Sequence, residues 1–293
     1  MNNTLYSING KIVPEHEALI PATDRGFLYG DGLFETVHAY GRALFRLPHH
    51  LRRLADGARF LEIDPAPDLK LLARRAQALV DAANFPEANV RLTYTRGSGP
   101  RGPSIRGKFT PLTVIMATRH QRPSGARSRS GATAIIAGLR RQESAAASTF
   151  KTLNYIDQIL ARREADRAGV DEALLLNNAG LLCEGSASNI SIVRNGAVTI
   201  PDPRRVGALP GIAQLTALEA AHNLDIPVIQ TSLGPWDTQQ CDEAFLSGSM
   251  REITPLLRIG EHTIGTGKPG PLTRKLIAEY RRIVERECKP FMY

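Results

Sequence analysis

The sequence predicts a mixed α/β (α+β) fold in two domains, on three observations. Strand-like apolar runs are interleaved with runs of helical period along the whole chain. The 293 residues suit one large or two moderate domains, and two are preferred. A stretch rich in Arg, Ser, Pro and Gly, 119–131, separates two such mixed segments and is the expected linker. A small N-terminal α+β domain over 1–118 and a larger mixed α/β domain over 132–293 follow.

The first element expected is a hairpin. Leu5-Tyr6-Ser7-Ile8 and Lys11-Ile12-Val13 flank Asn9-Gly10, two residues that accept the positive φ of a tight I′ turn. Residues 33–39 alternate, with Phe34, Thr36 and His38 on one face and Leu33, Glu35 and Val37 on the other. A return strand is expected over 43–47. Pro48 suits a first helical turn, and Leu51, Leu54, Ala55, Ala58 and Leu61 follow at helical spacing. A second helix carries Leu69, Leu72, Ala73, Ala76, Leu79 and Val80; strands over 90–95 and 112–117 close the first half. In the second half a strand over 132–139 precedes a helix over 154–167, with Ile156, Ile159 and Leu160 turned inward. Strands follow over 173–176, 189–193 and 198–200, the last two joined by Asn195-Gly196. Helices over 212–222 and 272–284 alternate with strands over 228–230 and 244–246.

Composition narrows the function classes. Apolar residues make up 42% and charged residues 23%, ordinary values for a globular chain. The net charge of +8 is spread out, and its densest part, 96–129, has little aromatic interleaving, so no nucleic-acid partner is expected. No secretory leader or apolar run of about 18 residues is present, so no membrane partner and a cytoplasmic location are expected. Cys183, Cys241 and Cys288 are odd in number and far apart, which suggests neither a disulfide framework nor a metal site. Gly265-Thr266-Gly267-Lys268 lacks the earlier glycine of a nucleotide loop. His49 and His50 are adjacent on a helix and diverge, so capping or surface roles are expected for them.

Three strings carry chemistry. Lys151 precedes Thr152-Leu153-Asn154-Tyr155 and the helix behind them, a junction from which an amine can enter a cleft. Glu184-Gly185-Ser186-Ala187-Ser188-Asn189 joins small residues, which let backbone approach a ligand, to short polar donors. Leu209-Pro210-Gly211-Ile212-Ala213 opens a helix whose first N–H groups can hold an anion.

Taken together with Asp24-Arg25-Gly26, Gly30-Asp31-Gly32-Leu33-Phe34-Glu35-Thr36, His50-Leu51-Arg52-Arg53-Leu54, Ser247-Gly248-Ser249-Met250-Arg251-Glu252-Ile253-Thr254-Pro255 and Gly267-Lys268-Pro269-Gly270-Pro271, these strings resemble fold-type-IV pyridoxal-phosphate enzymes. That family holds the branched-chain and D-amino-acid aminotransferases and the aminodeoxychorismate lyases. The resemblance implies pyridoxal 5′-phosphate as cofactor, with Lys151 carrying it as a Schiff base and moving the substrate proton. It implies Glu184 against the pyridine nitrogen and Arg53 on the phosphate. Tyr155, Ser188, Ile212, Ala213 and Ser249 are the further cofactor contacts implied, Ala213 standing where relatives often have Thr.

For substrate the resemblance implies Phe34, Arg91, Arg101 and Met250, with Arg91 or Arg101 on the carboxylate. Phe34 and Pro103 stand where D-amino-acid aminotransferases tend to have Tyr and His, so the usual D-carboxylate grip is incomplete. The Glu252 and Gly267 strings resemble the aminotransferase branches more than the lyase. The implied reaction is ping-pong transfer of an amino group from a branched-chain L- or D-type amino acid to a 2-oxo acid, in a homodimer. The alternative is release of pyruvate and 4-aminobenzoate from aminodeoxychorismate.

Overall fold

In the computed structural model the described residues are 4–121, 131–142 and 146–289, so most of the expected linker lies outside them. Contacts divide the chain into two compact units. One comprises Met1–Gln121, Phe150–Asn154 and Glu287–Tyr293; the other comprises Arg122–Thr149 and Tyr155–Arg286.

The first unit contains β1 (Thr4–Ile8), β2 (Lys11–Pro14), α1 (Arg25–Tyr29), β3 (Gly32–Tyr40), β4 (Ala43–Leu44), α2 (Leu47–Phe60), α3 (Leu69–Ala83), β5 (Glu87–Ser98) and β6 (Thr110–Arg119). Its strands form an antiparallel sheet in the order β2-β1-β6-β5-β3-β4. Asn9 and Gly10 have φ of 50° and 98°, as the expected hairpin turn requires. Alternation in β3 sends Leu33 and Val37 into a core with Leu51, Leu54 and Ala58 of α2 and Leu72, Ala76, Leu79 and Val80 of α3. Each fully buried leucine there contributes about 1.5–3 kcal/mol. Helix α3 begins where the Asp68 carboxylate accepts from the Leu71 N–H at 2.9 Å, and ends where Asn84 turns to φ 49°. The return strand is shorter than its sequence suggests. Arg46 takes φ 54°, and Leu47 already begins α2 with Pro48 in its first turn.

The second unit contains β7 (Ala132–Arg141), α4 (Ile156–Arg167), β8 (Glu172–Asn177), β9 (Leu182–Gly185), β10 (Asn189–Arg194), β11 (Ala197–Pro201), α5 (Pro203–Val206), α6 (Ile212–Asn223), β12 (Val228–Thr231), α7 (Pro235–Gln239), β13 (Glu243–Gly248), β14 (Glu252–Ile259), β15 (His262–Thr263) and α8 (Pro271–Cys288). The sheet order is β12-β11-β10-β13-β14-β7-β8-β9, with β15 paired to β14. The pairs β11–β12, β14–β7 and β7–β8 are parallel and the remainder antiparallel. Leu174, Leu176, Ile190, Ile192, Leu246 and Leu256 form its main core.

Helix α4 corrects one expectation. Ile156 and Ile159 are 61% and 58% exposed, whereas Ala161 and Ala165 are fully buried. The helix rests against Ala137 of β7 and Ala173 and Leu175 of β8 through that alanine stripe. Ile159 lies about 200° round the helix from Ala161 and so faces away. Strands β9, β14 and β15 and the short helices α5 and α7 are additional to those expected. No described helix is long and apolar enough to cross a membrane.

Candidate active site

In the first unit, residues 151–153 run beside the start of β3. Phe34 N donates to Lys151 O at 2.9 Å, Leu153 N donates to Gly32 O at 3.0 Å, and Leu33 bridges to Thr152. This pairing puts Lys151 Nζ over the Phe34 ring, 4.4 Å from its centroid. Arg91, opposite Thr36 on β5, lays its guanidinium on the same ring at 3.6 Å. The structure therefore gathers Lys151, Phe34 and Arg91 round one buried aromatic face.

The opposite face of β3 carries Glu35, fully buried. Arg53 Nε and one of its terminal nitrogens donate to the two Glu35 oxygens, each at 2.7 Å, and His50 Nδ1 lies 2.7 Å from Oε2. Burial alone would raise the Glu35 carboxyl. The Arg53 charge, its hydrogen bonds and those of His50 outweigh it and hold the group at about 2. Burial lowers the His50 pKa; Glu35 opposes this, while Arg53 and Lys151 push the same way as burial. Arg52 is exposed and Arg53 half-buried, as their positions on α2 predict. His50, expected at a cap or on the surface, is instead buried, because it lies on the α2 face that meets β3.

Arg101 is exposed on the segment between β5 and β6. Arg25 anchors that segment by donating to Gly102 O at 2.7 Å and Pro100 O at 3.3 Å. Asp31 binds Arg25 at 2.7 Å and Arg96 at 2.8 Å, and Arg96 also donates to the Leu61 and Glu62 carbonyls. Those two arginines hold Asp31 below the ordinary carboxylate range, although burial acts most strongly and in the other direction.

In the second unit, Glu184 sits on β9, buried, with Oε1 at 2.9 Å from Arg141 and Oε2 accepting from Leu209 N at 2.9 Å. Arg141 also donates to Gly207 O at 2.5 Å and to Ser148 O. Asn189 Nδ2 donates to Leu209 O at 2.9 Å. Two turns, 184–189 and 207–211, are thus stitched together beside the start of α6. That helix begins on Gly211 with no side-chain cap, so the N–H groups of Ile212 and Ala213 open its positive end. A Cβ on Gly211 would collide with Asn189 Oδ1, so any larger residue here must displace the Asn189 side chain.

Ser188 donates its hydroxyl to Glu172 Oε2 at 2.8 Å, and the Ser186 N–H and hydroxyl donate to Oε1. Asn189 pairs with Ser247 across β10 and β13, which leads to the half-buried turn carrying Ser249 and Met250. Tyr155, half-buried, is the residue preceding α4. Sequence reasoning missed Arg141, Glu172 and the Glu35–His50 pairing with Arg53. A carboxylate on the apolar face of β3 is the one local signal that pointed to the last.

Each unit thus carries one cluster, an amine beside an arginine in the first and a buried carboxylate beside a helix start without a side-chain cap in the second. The family model of amino-transferase class IV matches residues 32–259, and the chain belongs to that family. The chain is 34% identical over 94% of its length to a putative branched-chain-amino-acid aminotransferase of Methanocaldococcus jannaschii, covering 95% of it. It is 27% identical to a D-alanine aminotransferase of Bacillus licheniformis, covering 92% of this chain and 93% of the relative. Among solved structures, a T.th. branched-chain amino acid aminotransferase with pyridoxamine 5′-phosphate superposes with TM-score 0.90 and 26% identity over 98% of this chain and 96% of that one. A 4-amino-4-deoxychorismate lyase from Pseudomonas aeruginosa does so with TM-score 0.85 and 29% identity, over 95% and 98%. The fold is that of the fold-type-IV aminotransferases, and the chain is a transaminase of a pyridoxal-phosphate-dependent class.

Proposed function

We propose that this transaminase moves an amino group between a branched-chain L- or D-type amino acid and a 2-oxo acid, in two half-reactions sharing one site. The observation that carries the reading is Arg91 and Lys151 on one Phe34 ring: a fixed cation for a carboxylate beside an amine that can attach a cofactor and relay a proton. The residues fit pyridoxal 5′-phosphate, since the uncapped start of α6 suits a phosphate and Glu184 is held as a hydrogen-bonded carboxylate by Arg141 and Leu209. When bound, the cofactor supplies an electron-withdrawing ring and an acceptor for the amino group.

The chain's own residues do the remainder. Lys151 Nζ would hold the cofactor and then carry the proton on and off substrate Cα. Glu184 would face the ring nitrogen and keep it protonated. Ser249, the N–H groups of Ile212 and Ala213, and Arg53 oriented by Glu35 are the groups that would hold the phosphate. Tyr155 and Ser188 line the cofactor, Ser188 with its hydroxyl already committed to Glu172. Phe34 and Met250 shape the substrate side, and Arg91 takes the carboxylate ahead of the exposed Arg101. Exposed Leu19, Ile20, Phe27, Leu28 and Tyr29 support a homodimer. Buried, unbridged Cys183, Cys241 and Cys288 suit a reducing cytoplasm.

The reading is tested with cofactor-loaded protein and single amino acids, L and D, with no oxo acid present. The visible absorbance of the cofactor should bleach with a donor alone and return on adding 2-oxoglutarate or pyruvate. The likeness to the lyase supports the second reading: if no donor bleaches the cofactor and aminodeoxychorismate yields pyruvate, that reading replaces this one.

A further inference from the structure

Among the described residues, His38, Glu87 and His120 form a group with the make-up of a metal centre, and no step above uses it. One ligating atom of each lies within 4.8 Å of the other two. Sheet register brings them together. Tyr40 pairs with Glu87, His38 with Asn89 and Asn89 with Thr118, and His120 N donates to Glu87 O at 2.9 Å just past β6. All three side chains therefore belong to the sheet face that also carries Phe34, four residues back along β3.

The spacing of the closest pair suits two ligands of one ion. His38 Nε2 is 3.3 Å from Glu87 Oε2. Two ligands on a tetrahedral ion with bonds of roughly 2.0–2.1 Å stand about 3.4 Å apart. That approach lacks the angles of a hydrogen bond, and neither nitrogen of the 5%-exposed His38 ring has a hydrogen-bond partner. The His120 ring meets the His38 ring edge-on, 4.4 Å between centroids. Its Nδ1 lies 2.8 Å from Asn89 Oδ1, an acceptor that selects the tautomer with the lone pair on Nε2. A ligating histidine oriented by such an outer hydrogen bond is the usual arrangement at zinc.

We propose that His38, Glu87 and His120 bind one divalent transition-metal ion of the Zn²⁺ class, with water completing its coordination. Two imidazoles and one carboxylate favour such an ion over Mg²⁺ or Ca²⁺, which take oxygen ligands. The ion would tie β3, β5 and the exit of β6 at one point.

The test uses the full chain loaded with its cofactor, dialysed against chelator and then titrated with Zn²⁺ by calorimetry, with Co²⁺ as a spectroscopic probe. One ion per chain is expected, with a rise in melting temperature. His38→Ala, His120→Ala and Glu87→Gln should each weaken Zn²⁺ binding by at least about tenfold and abolish that rise, and Asn89→Ala should weaken it about tenfold. Replacing the three cysteines by serine should leave the stoichiometry unchanged. No stoichiometric binding by the native protein below about 100 µM free Zn²⁺, a limit far weaker than structural zinc sites reach, would overturn the proposal. So would affinity unchanged in His120→Ala, a half-buried position whose substitution is tolerable even if His38→Ala does not fold.

Discussion

Glu35 lies fully buried, with its carboxyl brought from an ordinary 4.5 to about 2 by Arg53 and His50. The folded chain thus releases this proton more readily than the unfolded chain does. Its stabilisation is complete above about pH 4.5 and is lost as pH falls toward 2. His50 acts in the same direction, because burial lowers its pKa from 6.5 and the unfolded chain is protonated first. Urea midpoints should therefore fall as pH drops below 6.5, and His50→Gln should flatten the upper part of that decline. Glu35→Gln should cost about 3–5 kcal/mol by leaving the Arg53 charge uncompensated. It should also loosen cofactor retention, read as a faster loss of visible absorbance on dilution; unchanged retention would detach Glu35 from the phosphate grip. Lys151→Ala should lower turnover at least about 10³-fold and remove the cofactor's covalently attached spectrum, whereas Glu184→Ala should keep the cofactor and slow the reaction. A Lys151→Ala protein with a native spectrum and near-native rate would withdraw the lysine's role.

At the scale of elements, most of the secondary structure was legible because its period is local. The Asn9-Gly10 hairpin, the alternation of β3 and the apolar stripe of α3 need no information beyond neighbouring residues. The inward face of α4 was misjudged because alanines are weak hydrophobic markers, yet Ala161 and Ala165 are what let the helix approach β7 and β8. The lysine, glutamate and helix-start strings were visible as strings. That Leu209 N would donate to Glu184, or that residues 151–153 would pair with β3, depends on contacts distant in sequence. Two glycines test the joints between elements. Gly211→Ala should displace Asn189 and weaken cofactor binding by roughly tenfold or more, a loss of about 1.4 kcal/mol, measured by fluorescence titration of the apoprotein. Gly97, at φ 78° with Thr110 O in the way of any added Cβ, holds the irregular end of the β5–β6 ladder. Gly97→Ala should cost more than about 2 kcal/mol in denaturant unfolding.

For the whole molecule, sedimentation equilibrium should give a species of twice 32.0 kDa. Phe27→Ser with Leu28→Ser should shift it toward the single chain and lower activity in parallel, since both residues are large, apolar and exposed on α1. A fully active monomer would set the dimer aside. The first unit is also discontinuous in sequence: to 1–121 it adds Phe150–Asn154 and, from the far end, Glu287, which pairs with Arg46 at 2.8 Å. A ribosome delivers its product in order, at roughly 5–20 residues per second. Residues 1–121 must then wait on the order of ten seconds for Glu287 to emerge. Nascent-chain proteolysis should find it protected late, and excision at residue 121 should yield a fragment that a neighbouring gene could not borrow as a self-sufficient module.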